Sequence, residues 1–77
     1  MSQIIKQAAA LRGQGKFDAA ISLIEENLNA IDPDLHVNAL LEAFYSALET
    51  QNTVKVKELA QKIAALEPQL PSIQRYL

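Results

Sequence analysis

The sequence predicts an all-α fold, and three observations carry the prediction. Between breaks, apolar residues recur three and four apart, the period of a helix face. No stretch alternates apolar and polar residues at period two, and the β-branched residues are scattered, so no strand is expected. The breaks themselves are Gly13 with Gly15, Asp32-Pro33, Gln51-Asn52, and Pro68 with Pro71, all residues that end or begin helices.

Each element follows from these breaks. A first helix runs from about Ser2 to Gln14, with Ile4, Ala8 and Leu11 on one face. Gly15 suits the left-handed cap that closes it, where a Cβ would clash. A second runs from about Phe17 to Ile31, with Ala20, Ile24, Leu28 and Ile31 inward. Asp32 reads as an N-cap with Pro33 at the first helical position, where a missing N–H costs nothing. The third helix spans Asp34 to about Thr50 and buries Leu40, Ala43, Phe44 and Ala47. Asn52 or Thr53 caps the fourth, from about Thr53 to Glu67, whose face is Val56, Leu59, Ile63 and Leu66. Pro71 starts a short fifth helix holding Ile73 and Leu77.

At 77 residues the chain makes one domain: a first hairpin at about 2–32, a second at about 33–67, and a cap helix at about 71–77. Apolar residues make up 49%, too many for a disordered chain of such low net charge. A formal charge of −2 provides no excess of basic residues for phosphates, so nucleic acid is not the expected partner. The absence of cysteine excludes disulfides, thiolate catalysis and thiolate-bound zinc. The longest apolar runs, Ala8 to Leu11 and Ile63 to Leu66, are far shorter than a membrane span. No signal-peptide pattern is read near Met1, and the expected compartment is the cytoplasm.

The helices come in pairs, and Pro33 and Pro68 stand 35 residues apart, the interval of a stacked helical hairpin. Gly15-Lys16-Phe17-Asp18-Ala19-Ala20-Ile21, then Leu28, then Asp32-Pro33, resembles the tetratricopeptide repeat. In that resemblance Gly15 is the turn glycine, Phe17 the aromatic, and Ala20 the small residue where paired helices cross. Pro33 matches the closing proline one residue late, which implies a small bulge at the end of the second helix. Ala8 and Leu11 replace the family's glycine and tyrosine in the first helix. The second unit is degenerate: Gln51 stands for the glycine, Thr53 for the aromatic and Val56 for the alanine, with Ala60, Ile63 and Ala64 at packing positions. The implied architecture is two stacked antiparallel hairpins with a short C-terminal capping helix.

Motifs that carry chemistry are few. Gly13-Gln14-Gly15-Lys16 lacks the four-residue spacer and the Ser or Thr of a phosphate loop, and no strand precedes it. Asp32, Asp34 and His36 alternate like metal ligands, but Val37-Asn38-Ala39 does not continue a calcium loop; both aspartates suit a helix start instead. His36 has no nucleophile and orienting carboxylate beside it in sequence context, and no serine sits in an elbow motif. The chain is therefore expected not to be an enzyme, with no cofactor and no metal.

The third helix is the informative one. Leu41, Tyr45 and Leu48 form a second apolar row that the core does not need, and Val37 extends it by a turn. In the tetratricopeptide family the first helix of each hairpin lines a concave groove. Carried across, the groove positions are Ile5, Ala9 and Arg12 in the first unit, and Asn38, Leu41, Tyr45 and Glu49 in the second. The fifth helix adds Ser72, Arg75 and Tyr76. Ile5 and Ala9 stand where the family's carboxylate-gripping groove carries polar residues, so an apolar helix or extended segment is the expected occupant. Arg12, Glu49 and Arg75 would set register at the rim. The expected function is a protein-binding module, an adaptor or small chaperone, whose partner is another protein or a peptide.

A rival occupant is a second copy of the chain. Stacked hairpins usually need three or more units to be stable, and this chain has about two. A homodimer paired through the third helix is therefore expected in the absence of a client. A third arrangement has the fifth helix fold back over the row through Ile73, Tyr76 and Leu77.

Overall fold

The first helix starts at Ser2, whose Oγ accepts the backbone N–H groups of Ile4 and Ile5 at 3.2 and 3.4 Å. These are two of the donors that a helix N-terminus leaves without intrahelical partners. In the computed structural model, which describes residues 2–77, helix α1 then runs Gln3–Gly13 and α2 runs Phe17–Asn27. Helix α3 spans His36–Glu49 and α4 spans Thr53–Leu66. A 3₁₀ helix, Pro71–Tyr76, closes the chain. The described residues contain no strand, so the fold is all-α as the periodicity implies.

Both hairpin turns use one geometry. Gly15 has φ 78°, its N–H reaches the Arg12 carbonyl at 3.0 Å, and the Lys16 N–H reaches the Leu11 carbonyl at 2.8 Å. This pair of bonds is the Schellman closure, which satisfies carbonyls that α1 leaves open. Gln51 repeats it at φ 57°, with its N–H on Leu48 and the Asn52 N–H on Ala47, both at 3.2 Å. The second turn thus has the geometry of the first without a glycine.

Helix boundaries depart from the sequence reading at the first hairpin's exit. α2 ends at Asn27 rather than near Ile31, and a 3₁₀ turn, Leu28–Ala30, takes over. The Asn27 side chain donates to the Leu23 carbonyl at 2.8 Å, the local competition that makes asparagine a poor helix interior residue. Asp32, which precedes proline, must be extended, and its ψ is 130°. Its Oδ1 accepts the Asp34 N–H at 2.9 Å, capping a 3₁₀ turn, Pro33–Leu35, so regular α-helix begins at His36 and not at Asp34. His36 Nε2 donates to the Ile31 carbonyl at 2.8 Å and ties the two hairpins at their junction.

Each helix packs on the next in sequence, α1 also packs on α3, and the 3₁₀ helix packs on α4. The turns Gln14–Lys16 and Thr50–Asn52 are too short for anything but antiparallel neighbours. The result is two stacked antiparallel hairpins and a C-terminal cap, within 27 × 27 × 18 Å.

Small residues set the helix spacing. Ala8, Ala20, Ala39, Ala43, Ala47 and Ala60 have no exposed surface. Ser46 shares the stripe of Ala39 and Ala43; it too is buried, and its Oγ has no hydrogen-bond partner. Around these positions Phe44, Ile24, Leu59, Ile63 and Ile73 are fully buried, each worth about 1.5–3 kcal/mol of apolar transfer. Ile21 joins the core although the repeating face omitted it, and Leu66, expected inside, is 52% exposed. α4 ends there, before Pro68, with Glu67 already off the helical path at ψ 79°. No helix of the described residues is long and apolar enough to cross a membrane.

Nothing lies within 4 Å of where a Cβ on Gly15 would stand. Gly15→Ala should therefore cost only the left-handed backbone strain, about 1–2 kcal/mol by denaturant melts. Gln51→Gly should stabilise, by about 0.5–1 kcal/mol, because the strain relieved exceeds the extra entropy of glycine in the unfolded chain. The same sign for both substitutions would show that the two turns are not equivalent.

Ala20 is buried among the packed helices, so Ala20→Leu should overpack the first hairpin and destabilise by about 1–3 kcal/mol. An unchanged midpoint would mean that space remains at that position.

Candidate binding surface

The helix pair α1 and α3 brings some of the expected groove residues together. Arg12 lies near the end of α1, where a cation favourably meets the helix dipole. Its Nε donates to Glu42 Oε1 at 2.9 Å, and its guanidinium carbon stands 5.6 Å from the centroid of the Tyr45 ring. One side chain thus bridges α1 to two successive turns of α3. The pair is partly open to solvent, and such ion pairs contribute at most about 1 kcal/mol, so its effect is mainly to fix the geometry of this face.

Other expected positions fall differently. Ile5 is only 8% exposed and belongs to the core rather than to an open groove, while Ile4, assigned inward, is half-buried. The helix is rotated slightly from the expected phase, since α1 packs on both α2 and α3 and buries Ile5 and Ala8 between them. Ala9 is half-buried; Asn38 and Glu49 are exposed. Val37, Leu41, Tyr45 and Leu48 are all half-buried, each packed against the core along one edge. The apolar row therefore exists, but it is shallow. The fifth element is a 3₁₀ helix packed on α4: Ile73 is buried, Tyr76 meets Phe44 of α3, and Leu77 stays 50% exposed beside Leu48 at the end of the row.

A concavity lies at one end of this row. A cleft of about 700 Å³ opens between the last turn of α3, the first turns of α4 and the 3₁₀ helix. Leu48 and Arg75, both expected site residues, line it together with Val56, Tyr76 and Leu77. Gln51, Thr53 and Lys57 complete the wall. Tyr76 holds its position because its ring meets Phe44 edge-on at 5.3 Å, and the Arg75 guanidinium carbon stands 5.8 Å from the Tyr76 centroid.

Charge is distributed unevenly around the molecule. Lys55 bridges Glu25 on α2 at 2.9 Å and Glu58 on its own helix at 3.2 Å, and Lys62 also approaches Glu58. Hydrogen bonding to Glu25 and then Glu58 holds the Lys55 ammonium above the ordinary lysine value; the bond from Lys55 holds Glu58 below the ordinary glutamate value. Lys57 and Arg75 take part in no ion pair among the described residues, and both face the cleft.

Glu42, Lys57 and Val56 were not read as site residues. Glu42 had a signal, an opposite charge on the neighbouring helix 30 residues from Arg12. Lys57 had none, because its place depends on where the 3₁₀ helix turns back. Asp32 and His36 are committed to backbone partners, and the described residues hold no cluster of three metal-ligating side chains. The surface offers apolar side chains, an aromatic edge and cations.

Compared with protein-family models, with curated proteins and with solved structures, the chain gives no match.

Proposed function

We propose that this protein is a protein-binding module of tetratricopeptide-like build, an adaptor or small chaperone that holds an apolar segment of another protein. The occupant lies along the face shared by α1 and α3. The observation that carries the reading is the half-buried row Leu41, Tyr45 and Leu48, continuous with the cleft and flanked by the Arg12–Glu42 pair. Apolar strips of this kind on a small domain mark contact surfaces. The buried centre supplies affinity, while Arg12, Glu49 and Arg75 tune orientation and on-rate. The cytoplasm suits such a role.

Phe44 has no exposed surface, so Phe44→Ala should cost about 3–5 kcal/mol. Tyr45, next in sequence but about 100° around the helix, should tolerate alanine with a small loss of stability. Affinity capture with Tyr45→Ala should then lose a partner that the wild-type chain retains. Equal destabilisation by the two substitutions would assign Tyr45 to the core and remove the argument for a binding face.

The same row favours self-association when no client is present, since two hairpins bury less of their surface than a longer stack. Sedimentation at tens to hundreds of micromolar should show a dimer, and Leu41→Glu should shift it to a monomer of lower stability by placing a charge in the interface. A well-folded wild-type monomer at those concentrations would leave the client as the sole occupant.

A further inference from the structure

We propose that the cleft at the end of the stack seats one to two turns of an acidic amphipathic helix from a partner protein. An apolar side chain of that helix meets Leu48 and Val56, and its carboxylates meet Lys57 and Arg75. The inference rests on the protein-binding reading above but places the decisive contact beyond the α1–α3 face.

Element lengths open the space. α4 has 14 residues, about 21 Å at 1.5 Å per residue. The 3₁₀ helix that packs on it has six, about 12 Å at 2.0 Å per residue. The difference, about 9 Å, is close to two turns of α-helix. The cleft lies at this uncovered stretch, between Val56 on α4 and Leu48 on α3. The last residues of the 3₁₀ helix, Arg75 and Tyr76, line it, so a helical segment placed there would pack on α4 next to that helix.

Charge selects the occupant. The chain is acidic overall, at −2, yet Lys57 and Arg75 both line this cleft, and neither is in an ion pair with a carboxylate among the described residues. Lys55, two residues before Lys57, shows the contrast, since Glu25 and Glu58 both hold it. Arg75 is held over Tyr76, whose ring is braced by the buried Phe44, so the guanidinium is presented by a fixed platform. Thr53 brings the N-terminal, positive end of α4 to the same wall. A helix carries glutamates three and four apart on one side, which matches two cations across an apolar floor.

The test uses the full chain, isotope-labelled, and a fluorescent peptide of about fifteen residues, long enough to populate helix. The peptide is alanine-rich, with leucines on one stripe and glutamates beside them; a second peptide has lysine for every glutamate. The acidic peptide should bind, with amide shifts centred on Leu48, Gln51, Lys57 and Tyr76. The double reversal Lys57→Glu with Arg75→Glu should weaken it about tenfold or more and confer binding of the lysine peptide. Both side chains are surface charges, and circular dichroism of the double variant checks that it stays folded. Equal affinity for the two peptides, or binding of neither, overturns the proposal. Shifts centred on Ala9, Leu41 and Tyr45 also overturn it while leaving the broader protein-binding reading standing. A wild-type dimer that the double reversal dissociates would assign the cleft to a second copy and overturn the choice of partner.

Discussion

Phe44 occupies the middle turn of α3, the helix that α1, α2 and α4 all touch, and it is the largest side chain with no exposed surface. Around it the core is made of alanines and aliphatics, so one ring fixes where the larger spaces must lie. It packs against Tyr45, with centroids 5.7 Å apart, and against Tyr76 at 5.3 Å. Through Tyr45 it backs the half-exposed row; through Tyr76 it anchors the C-terminal 3₁₀ helix. The half-exposed row and the closing cap therefore share one support, and a shift of Phe44 would disturb both.

Two ion pairs repeat the architecture in electrostatic form. Arg12 with Glu42 joins α1 to α3, and Glu25 with Lys55 joins α2 to α4, each across 30 residues. Each links corresponding helices of the two hairpins. Partly exposed pairs add little stability, but pairs at both layers of the stack penalise a sliding of one hairpin along the other. Their polarity is reversed between the layers, which also opposes pairing the hairpins in the wrong order.

The periodicity of the sequence carried most of the fold because helix faces and their stops are local properties. Leu40, Ala43, Phe44 and Ala47 were assigned inward and are buried, and Gly15 was assigned a left-handed turn and adopts it. What local pattern could not reveal was phase and termination. Ile5 turned inward because α1 packs on α3 as well as on α2, and α2 stopped at Asn27, whose side chain bonds the Leu23 carbonyl. The cleft was half legible: Leu48 and Arg75 were named, but Val56 and Lys57 meet them only through the return of the chain after Pro68. That return is a tertiary event, with no periodic signal.

Gln51 has a consequence for the order in which the chain comes apart. A left-handed residue that carries a side chain raises the energy of the turn it closes, whereas Gly15 closes the other turn without that penalty. The contacts of the fold are mostly between elements adjacent in sequence, a topology that folds quickly and can open in parts. Local opening at this corner, where α3 passes into α4, should therefore cost less than opening at the Gly15 turn. Because Gln51 also walls the cleft, a helix seated there would brace that corner and slow the exchange of its amides.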